Sequence, residues 1–423
     1  MQKEDIKNNY DVAVIGGGPA GMMAVLIASE FGAKTVLIEK NNQLGKKLLL
    51  TGNGRCNITN IEPNLKELVK NYENGEFLFH AFSVFGPERT IGFFNKLGVE
   101  IKTEDNNRVF PKGNNAEDVL DIFKKNLRKN NVEIISNSEV IDIVSKGKKI
   151  IKVLVGDREI IANNYIFCTG GKSYPATGSD GLGYKLAEKL GHTIVRPIPA
   201  LVPIKIHEEW VRILSGISLR NVKITVLKDN KKQFSEQGEI IFTHFGVSGP
   251  AILNISGKVG ELLNNGTVKL IIDLFPLLNY EEVLGEFEDI LKRYLNRTVK
   301  NVLSFLVPER LAEILSDMAK VDKNKIANNM SKIERASVVK ILKNLEITVE
   351  NILGWDLAQV TKGGVSLKEI DDKTMKSKII DNLFFAGEII DINGKTGGFN
   401  LQQCWSTGYL AGKSASPENL TNK

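Results

Sequence analysis

The feature that most constrains the fold is an apolar segment near the start of the chain that breaks into glycines. Residues 10–15 are typical of a buried strand, and they are followed by the sequence GGGPAG and by an apolar helical segment at residues 22–31. In such a strand, turn and helix, Gly16 allows the turn, Gly18 lets the backbone approach a pyrophosphate, and Gly21 lets the helix pack closely on the strand. The segment therefore predicts a parallel α/β fold with a dinucleotide at the helix N-terminus.

A second apolar run, residues 35–38, supports this interpretation because it ends in Glu39. A carboxylate about 20 residues beyond the glycine motif is where the ribose hydroxyls of a dinucleotide need an acceptor. The alternative is a glycine-rich turn followed by a surface glutamate. The strand before the motif, the helix after it and the spacing to Glu39 together favour the dinucleotide site.

The composition is ordinary for a globular protein and argues against several kinds of site. The 423 residues are 42% hydrophobic and 25% charged, which allows two or three domains. No apolar run approaches the ~18 residues of a membrane span, and residues 1–7 lack the apolar core of a signal peptide, so we expect a cytoplasmic protein. Cys56, Cys168 and Cys404 form no CxxC pair and the four histidines lack metal-ligand spacing, so we expect reduced thiols and no metal site.

The loop after Glu39 has the composition of a ligand-binding loop. Residues 41–60 combine glycine, small polar residues and cations. Backbone amides around Gly52 and Gly54 can approach a flat ring without a side-chain clash. The cations that could face a diphosphate are Lys40, Lys46, Lys47 and Arg55. The alternative is a solvent-exposed basic loop.

A change from helical to alternating periodicity marks the middle of the first domain. Residues 132–168 predict a β-meander, in which Val140 is placed for a backbone contact to an adenine. The last strand of the meander ends in Thr169 and Gly170, which is consistent with a return to the cofactor. The helices predicted before the meander lie at residues 64–72, 87–97 and 118–129.

The C-terminal segment is the second glycine-rich region. An apolar strand leads to Gly387 and Glu388, and the sequence GKTGGFN leads into a helix that we expect to reach residue 411. A glycine-rich helix N-terminus stabilises negative charge, and a reduced flavin carries negative charge at its N1/O2 edge. The segment therefore favours a flavin over a nicotinamide. The alternative is an ordinary C-terminal docking helix.

With both ends considered, the chain resembles the BaiN-like family of FAD-dependent oxidoreductases, also called aminoacetone-oxidase-like flavoproteins. The resemblance covers nearly the full length. It implies an α/β fold, with a Rossmann-like FAD-binding domain assembled from both chain ends and with an inserted β-barrel-like domain and a small helical domain. The sequences that carry it are GGGPAG (16–21), TGNGRCN (51–57), ATGSDG (176–181), THFGVSGP (243–250), TKGGV (361–365), AGE (386–388) and TGGFN (396–400).

The predicted domain organisation follows from this resemblance and from the prolines at 197, 199 and 203, which mark a boundary. The FAD-binding domain takes residues 1–195 as its first part and 361–423 as its C-terminal part. The inserted segments are a β-rich domain at 196–278, a helical insertion at 279–343 and a return strand of the β domain at 344–360.

The predicted FAD-binding residues combine the resemblance with the residue patterns. The resemblance implies contacts at Ala20, Glu39, Lys40, Lys46, Lys47, Gly54, Asn57, Val140, Glu388 and Leu401. The motifs add Gly16, Gly18, Pro19, Gly21, Gly52, Thr169, Gly170, Gly387, Gly397, Gly398 and Asn400. We expect non-covalent FAD, and NAD(P)H as a transient electron donor, because no second glycine fingerprint holds a nicotinamide permanently.

The resemblance leaves the substrate open. Members are tied to oxidation of an amino ketone, reduction of conjugated double bonds in steroid-like acids, and reduction of a uridine in ribosomal RNA. The preferred hypothesis is an NAD(P)H-driven reductase that transfers a hydride from flavin N5 to a conjugated or uridine-like C=C bond. The alternatives are an oxygen-dependent oxidase of a small amine or amino ketone and a non-catalytic flavin-binding protein.

Two residues are candidates for catalysis on the substrate side, namely Arg55 and His244. Phosphate or backbone hydrogen bonding is the alternative role for each.

The charge pattern permits an anionic partner without requiring one, since 56 Lys and Arg stand against 50 Asp and Glu for a net charge of +6. If the substrate is RNA, we expect its phosphates to contact the helical insertion. The residues predicted for this contact are Lys292, Arg293, Arg297, Lys300, Lys323 and Lys325. The alternative is a solvated helical face.

Overall fold

The chain folds into two compact units. The structure, a computed structural model, describes residues 9–417. One unit contains the residues up to Ile198 together with those from Gln359 onward, and the other runs from Pro199 to Ala358. The first unit therefore holds both glycine-rich ends of the chain.

The elements within residues 9–417 are as follows, in chain order. The strands are β1 Asn9–Ile15, β2 Thr35–Ile38, β3 Thr59–Asn60, β4 Tyr72–Glu73, β5 Ile101–Glu104, β6 Arg108–Pro111, β7 Glu133–Ile135, β8 Val140–Lys146, β9 Lys149–Val155, β10 Arg158–Phe167, β11 Ile194–Ala200, β12 Ile204–Ile206, β13 Ser218–Lys228, β14 Lys231–Thr243, β15 Gly246–Ser248, β16 Val268–Asp273, β17 Leu345–Ile352, β18 Val360–Val365, β19 Leu383–Phe385 and β20 Asn393–Gly394. The helices are α1 Pro19–Glu30, α2 Leu65–Val69, α3 Phe79–Phe85, α4 Pro87–Lys96, α5 Ala116–Lys129, α6 Leu182–Lys189, α7 Trp210–Ile213, α8 Pro250–Leu263, α9 Tyr280–Arg293, α10 Val299–Leu303, α11 Glu309–Met318, α12 Lys332–Lys343 and α13 Phe399–Ala415.

The first unit is built on a parallel sheet with an antiparallel arm. The strand order is β7-β2-β1-β10-β9-β8, and β19 also pairs with β10. The pairs β7–β2, β2–β1, β1–β10 and β10–β19 are parallel, whereas β9 and β8 are antiparallel. Val12, Val14, Val36 and Leu37 have no exposed surface, as expected for strands of a parallel sheet that is covered on both faces.

The first and last helices, α1 and α13, run in the same direction and depend on glycine for their close contact. A Cβ on Gly408 would lie 2.5 Å from the carbonyl oxygen of Ala20, and a Cβ on Gly412 would lie 2.3 Å from that of Ala24. Neither position accepts a side chain without movement of the backbone. These two glycines therefore allow α13 to pack directly against the backbone of α1, the helix of the first glycine motif.

The β-meander predicted over residues 132–168 is wrong in its first strand. That strand, β7, pairs in parallel with β2, and the carbonyl oxygen of Ile135 accepts a hydrogen bond from Glu39 N at 2.9 Å. Helix α5 precedes β7 and provides the crossover that a parallel strand requires. Helix α3 has no counterpart in the predicted elements, and α13 continues to Ala415 rather than ending at residue 411.

The second unit is a closed six-stranded barrel with helices inserted into it. The strand order is β12-β15-β14-β13-β16-β17, and Ile204 pairs with Ile352 where β12 meets β17. Helices α9 to α12 lie between β16 and β17 in the chain, and α9 and α12 each begin with a capping box. The predicted fold class, a Rossmann-like domain with an inserted barrel and a helical part, is confirmed.

Candidate cofactor and active site

The first glycine turn is shaped by packing that only glycine permits. Gly16 has φ +102°, and a Cβ there would lie 2.5 Å from the carbonyl oxygen of Cys168. A Cβ on Gly21 would lie 1.8 Å from the carbonyl oxygen of Gly16. Gly18 differs, because a Cβ there would meet no atom of the described chain within 4 Å. The space beside Gly18 is open to a ligand that approaches the backbone.

Glu39 closes this turn from the end of β2. Its Oε2 accepts from Gly17 N at 2.7 Å, and its Oε1 accepts from the backbone N and the side-chain Nδ2 of Asn41, at 2.8 and 2.7 Å. The residue is 7% exposed and its side chain lines a cavity. A carboxylate held in this way has a fixed orientation; Oε1 already accepts two hydrogen bonds, whereas Oε2 keeps acceptor capacity for one further donor.

The cavity connects the two glycine-rich ends of the chain. It contains about 910 Å³ of empty volume, part of which is open solvent. The predicted FAD-binding residues that line it are Gly16, Gly18, Pro19, Ala20, Glu39, Lys40, Lys46, Lys47, Val140, Thr169, Gly170 and Glu388. Those that do not line it are Gly21, Gly52, Gly54, Asn57, Gly387, Gly397, Gly398, Asn400 and Leu401.

Glu388 is the centre of a hydrogen-bond network at one end of this cavity. Its Oε1 accepts from Ser173 Oγ and from Thr361 N, both at 2.7 Å, and its Oε2 forms an ion pair with Lys47 Nζ at 2.6 Å. Lys47 Nζ also donates to Ser173 Oγ. The Lys47 and Glu388 side chains are only 21% and 17% exposed, so the pair is poorly screened by solvent. Four distant segments of the chain therefore meet at one carboxylate.

Among residues 9–417, no side chain caps the N-terminus of α13. Gly397 and Gly398 have φ +119° and +103°, and a Cβ on Gly398 would lie 2.4 Å from the carbonyl oxygen of Thr59. Asn400 uses its side chain internally, since Oδ1 accepts from Gly394 N and Nδ2 donates to Gly394 O. The first amides of a 17-residue helix are thus left for another acceptor.

Unpaired buried polar atoms test whether these residues fit a dinucleotide. Within residues 9–417, Asn57 Oδ1, Thr169 Oγ1, Ser179 Oγ and Tyr184 OH are buried without a hydrogen-bond partner. Thr169 and Ser179 line the cavity, and Asn57 Oδ1 would lie 2.9 Å from a Cβ on Gly398. Buried polar groups are normally paired, so a bound ligand with hydroxyl, phosphate and imide groups would supply what they lack. The residues present therefore fit FAD.

The loop at residues 51–57 uses most of its amides for its own turns. Gly52 and Gly54 have φ +58° and +83°. Gly54 N donates to Thr51 O at 3.1 Å, and Cys56 N donates to the same oxygen at 2.9 Å. The contact of this loop to a flat ring stays a prediction.

The two candidate catalytic residues lie in different units of the chain. Arg55, in the first unit, forms an ion pair with Glu104 at 3.0 Å, and its guanidinium lies 4.0 Å from the centroid of the Phe110 ring. His244, in the second unit, is exposed on the turn between β14 and β15 and contacts the Phe245 ring edge-on. A catalytic role for either residue stays a prediction.

The three cysteines are free thiols with raised pKa values. Burial raises the pKa of Cys56 and that of Cys404 to about 12, and burial also raises the pKa of Cys168. Cys404 lines the cavity. A protonated thiol is a poor nucleophile, so these residues are unreactive near neutral pH.

Several residues that line the cavity, or that contact or adjoin its lining residues, were not predicted as site residues. Ser173 and Thr361 hold Glu388, Asp180 forms an ion pair with Lys40 at 2.6 Å, and Ser179 and Tyr184 contribute unpaired hydroxyls. Burial and the charges of Glu388 and Asp391 raise the pKa of Tyr184, so its hydroxyl is a neutral donor. The sequences ATGSDG and TKGGV were visible only as family motifs, and no local pattern shows which cavity they line.

The comparison with protein families identifies the chain. The model described as HI0933-like protein Rossmann domain matches residues 10–414. The chain belongs to this family. The family comprises FAD-dependent oxidoreductases, so the predicted family, enzyme class and FAD cofactor are confirmed.

Two relatives in this family match nearly the whole chain. A 3-dehydro-bile acid delta(4,6)-reductase of Clostridium scindens is 31% identical over 96% of this chain and 98% of its own length. A ribosomal RNA dihydrouridine synthase of Haemophilus influenzae is 31% identical over 95% of this chain and 98% of its own length.

The solved structures agree on the fold. A 3-ketosteroid delta1-dehydrogenase from Sterolibacterium denitrificans, in complex with 1,4-androstadiene-3,17-dione, has a TM-score of 0.53 at 13% identity. The match covers 96% of this chain and 99% of that one. At this identity the likeness shows the shared fold alone.

Two further properties of the described residues concern membranes and metals. Among residues 9–417, no helix has the length and apolar character needed to cross a membrane. In the same residues, no group of three or more His, Cys, Asp or Glu side chains could hold a metal ion.

Proposed function

We propose that the protein is a flavin-dependent reductase that saturates a C=C bond conjugated to a carbonyl group. The observation that carries this proposal is the near full-length match to two relatives whose names describe the same chemistry on different molecules. The Δ4 and Δ6 double bonds of a 3-dehydro bile acid are both conjugated to its ketone, and the C5=C6 bond that is lost in dihydrouridine is conjugated to C4=O. Each bond accepts a hydride at the carbon remote from the carbonyl and a proton at the adjacent carbon.

The chain's own residues have two tasks in this reaction. The first is to bind and orient the cofactor, through the backbone at Gly18, the Glu39 carboxylate, the Lys47–Glu388 pair and the amides at the start of α13. FAD, when bound and reduced, supplies the hydride. The second task is to provide the proton that completes the saturated product.

An ion pair beside the start of α13 is suited to provide that proton. Lys362 Nζ lies 2.7 Å from a carboxylate oxygen of Glu73, and the two side chains are 16% and 27% exposed. Glu73 follows Tyr72, whose hydroxyl donates to Phe399 O at 2.8 Å, and Lys362 follows Thr361, which donates to Glu388. Both members of the pair are thus chain neighbours of residues that contact Glu388 or the first turn of α13, and the Lys362 ammonium is partly open to solvent for reprotonation.

The function is tested by following each half of the reaction separately without oxygen. NADH and NADPH are each mixed with the FAD-loaded protein, and the loss of flavin absorbance gives the rate of reduction. The reduced protein is then mixed with a steroid enone, with a uridine-containing RNA or with oxygen. The proposal expects faster re-oxidation by an enone or by RNA than by oxygen, whereas rapid turnover with oxygen alone would identify an oxidase and refute it.

The role of Lys362 is tested in the same assay. Lys362→Met should slow re-oxidation by the unsaturated acceptor at least tenfold and leave the rate of reduction by NAD(P)H unchanged. Lys378→Met, at an exposed lysine whose Nζ donates to the backbone oxygen of Lys368, is the matched control. Equal rates in Lys362→Met and the wild type would remove Lys362 from the mechanism.

The substrate is either a small molecule or an RNA. The two named relatives represent one case each, and a conjugated C=C bond is common to both. The cations and aromatic residues on the surface of the second unit help to decide between these two substrate classes.

A further inference from the structure

Most of the cations predicted to face RNA in the helical insertion are neutralised within the protein. Lys292 pairs with Asp289 at 3.0 Å and Lys325 pairs with Glu334 at 2.8 Å. Lys300 pairs with Glu309 and Glu313, which raise its pKa, and Lys323 lies 3.6 Å from Glu313. These four lysines therefore contribute little net field for a polyanion.

Two arginines of the same segment, unlike these lysines, are not neutralised by an ion pair among residues 9–417. Arg293 and Arg297 are exposed, and neither forms an ion pair with any residue between 9 and 417. Arg293 lies in the last turn of α9, and Arg297 lies in the connection between α9 and α10. Of the six cations predicted to face RNA, the two without an ion pair among residues 9–417 therefore both lie near the C-terminal end of α9.

A stacked aromatic pair with one half-exposed member lies at the same end. The rings of Tyr294 and Phe305 are stacked, with centroids 4.4 Å apart and planes 13° apart. Phe305 is 49% exposed, and the Arg297 guanidinium lies 5.5 Å from the centroid of the Tyr294 ring. Arg293, Tyr294, Arg297 and Phe305 form a surface that we call the aromatic end. The aromatic end combines a half-exposed flat ring with guanidinium groups that have no ion pair among residues 9–417, a combination that suits a ligand with both a flat ring and negative charge.

We propose that the aromatic end docks an unpaired segment of RNA. A base stacks on the exposed face of Phe305, and the flanking phosphates contact Arg293 and Arg297. Single strands are bound in this way by aromatic platforms next to cations, because every base offers a flat ring and every linkage a charge. The inference rests on the proposed function, in which a uridine-containing RNA is one of the two substrate classes.

The test uses a 12-nucleotide oligouridylate labelled with a fluorophore, whose anisotropy reports binding to the FAD-loaded protein at several salt concentrations. For a single strand, the slope of log K against log salt changes by about 0.7 for each phosphate contact. We expect Arg293→Gln combined with Arg297→Gln to reduce the slope by about 1.4, which is two such contacts. Phe305→Ala should weaken binding about tenfold at every salt concentration and leave the slope unchanged, since stacking is not ionic.

The matched control is Lys292→Gln combined with Lys323→Gln. It removes the same formal charge from the same helical segment, but from lysines that are already paired, so its slope should stay close to that of the wild type. Equal slopes in the two double variants would show that only net charge matters and would overturn the proposal. Absence of binding by the wild-type protein at low salt would overturn it as well.

The outcome is separable from that of the proposed function. Re-oxidation by a steroid enone requires no RNA, so the arginine variants should keep the wild-type rate with that acceptor. A protein that binds the oligouridylate at the aromatic end but is not re-oxidised by an enone or RNA would refute the function and keep the surface. Because Phe305 is half-exposed, we expect Phe305→Ala to fold, and circular dichroism verifies this. The arginine variants test the surface independently of that substitution.

Discussion

The Gly18→Ala substitution separates the fold from the cofactor site. Gly18 has φ −77° and ψ −174°, a conformation that alanine adopts without strain. A Cβ there would meet no atom of the described chain within 4 Å. The methyl group therefore creates no clash, and by restricting the unfolded chain it stabilises the cofactor-free protein by about 0.4–1 kcal/mol.

The same methyl group occupies the space through which a pyrophosphate reaches the backbone. Forcing one extra carbon into a close contact costs about 1–3 kcal/mol. This corresponds to a roughly 5- to 150-fold higher Kd for FAD. The substitution should thus raise the stability of the apoprotein and lower the affinity for FAD, a combination that general destabilisation cannot produce.

The assay measures the thermal midpoint of the apoprotein and the Kd for FAD, the latter by quenching of flavin fluorescence. Gly21→Ala is the matched control, because its Cβ would lie 1.8 Å from the carbonyl oxygen of Gly16 and should lower both stability and affinity. If Gly18→Ala binds FAD with the wild-type Kd, the open space is not the pyrophosphate path and the reasoning is refuted.

Three further changes test the rest of the first unit. Glu39→Ala removes a charged acceptor worth about 1.5–3 kcal/mol, so FAD titration should show a roughly 10- to 150-fold higher Kd, and an unchanged Kd would make Glu39 purely structural. Glu388→Gln replaces the carboxylate that faces the Lys47 ammonium by a neutral amide, and the thermal midpoint of the apoprotein should fall further than in Ser173→Ala, which loses two hydrogen bonds to charged groups but keeps the Lys47–Glu388 ion pair; equal losses would contradict the importance of the ion pair. Burial lowers the pKa of His192 in the folded protein below its ordinary value of 6.5. As the pH falls, the imidazole of the unfolded chain is therefore protonated before that of the folded protein. The stability that the neutral ring contributes is consequently lost as the pH falls below 6.5. His192→Gln should flatten the acid-side decline of the thermal midpoint, whereas His244→Gln, at an exposed histidine, should not; identical profiles for His192→Gln and the wild type would refute the assignment.

The parts of the fold that could be predicted are those with local signals. The glycine motif, the apolar strand before it and the helix after it are contiguous, and each is visible without knowledge of its partner. Strand β7 is different, because its three residues pair with β2, almost 100 residues earlier, and nothing local distinguishes that pairing from a meander. Strand β10 serves both kinds of pairing, since Ile160 faces antiparallel β9 and Ile161 faces parallel β1.

The candidate site shows the same limit more clearly. Gly16 and Glu39 could be assigned to a cavity because spacing along one strand–helix–strand unit fixes their separation. The partners of Glu388 could not, because Lys47 lies 341 residues away and Ser173 lies 215 residues away in the chain. Only the folded arrangement shows that Lys47, which we expected to face a diphosphate, forms an ion pair with the side-chain carboxylate of Glu388.

This network makes the cofactor cavity a product of long-range folding rather than of the glycine motif alone. The Glu388 carboxylate has to meet Lys47, Ser173 and Thr361 before that end of the cavity exists. The packing of Gly408 and Gly412 on α1 places the C-terminal helix beside the first motif. A chain in which α13 is not docked would keep the turn around Gly18 but lack the second wall. Because binding to the native state alone stabilises that state, we expect FAD bound in this cavity to favour the docked arrangement and thereby to couple the two ends of the chain.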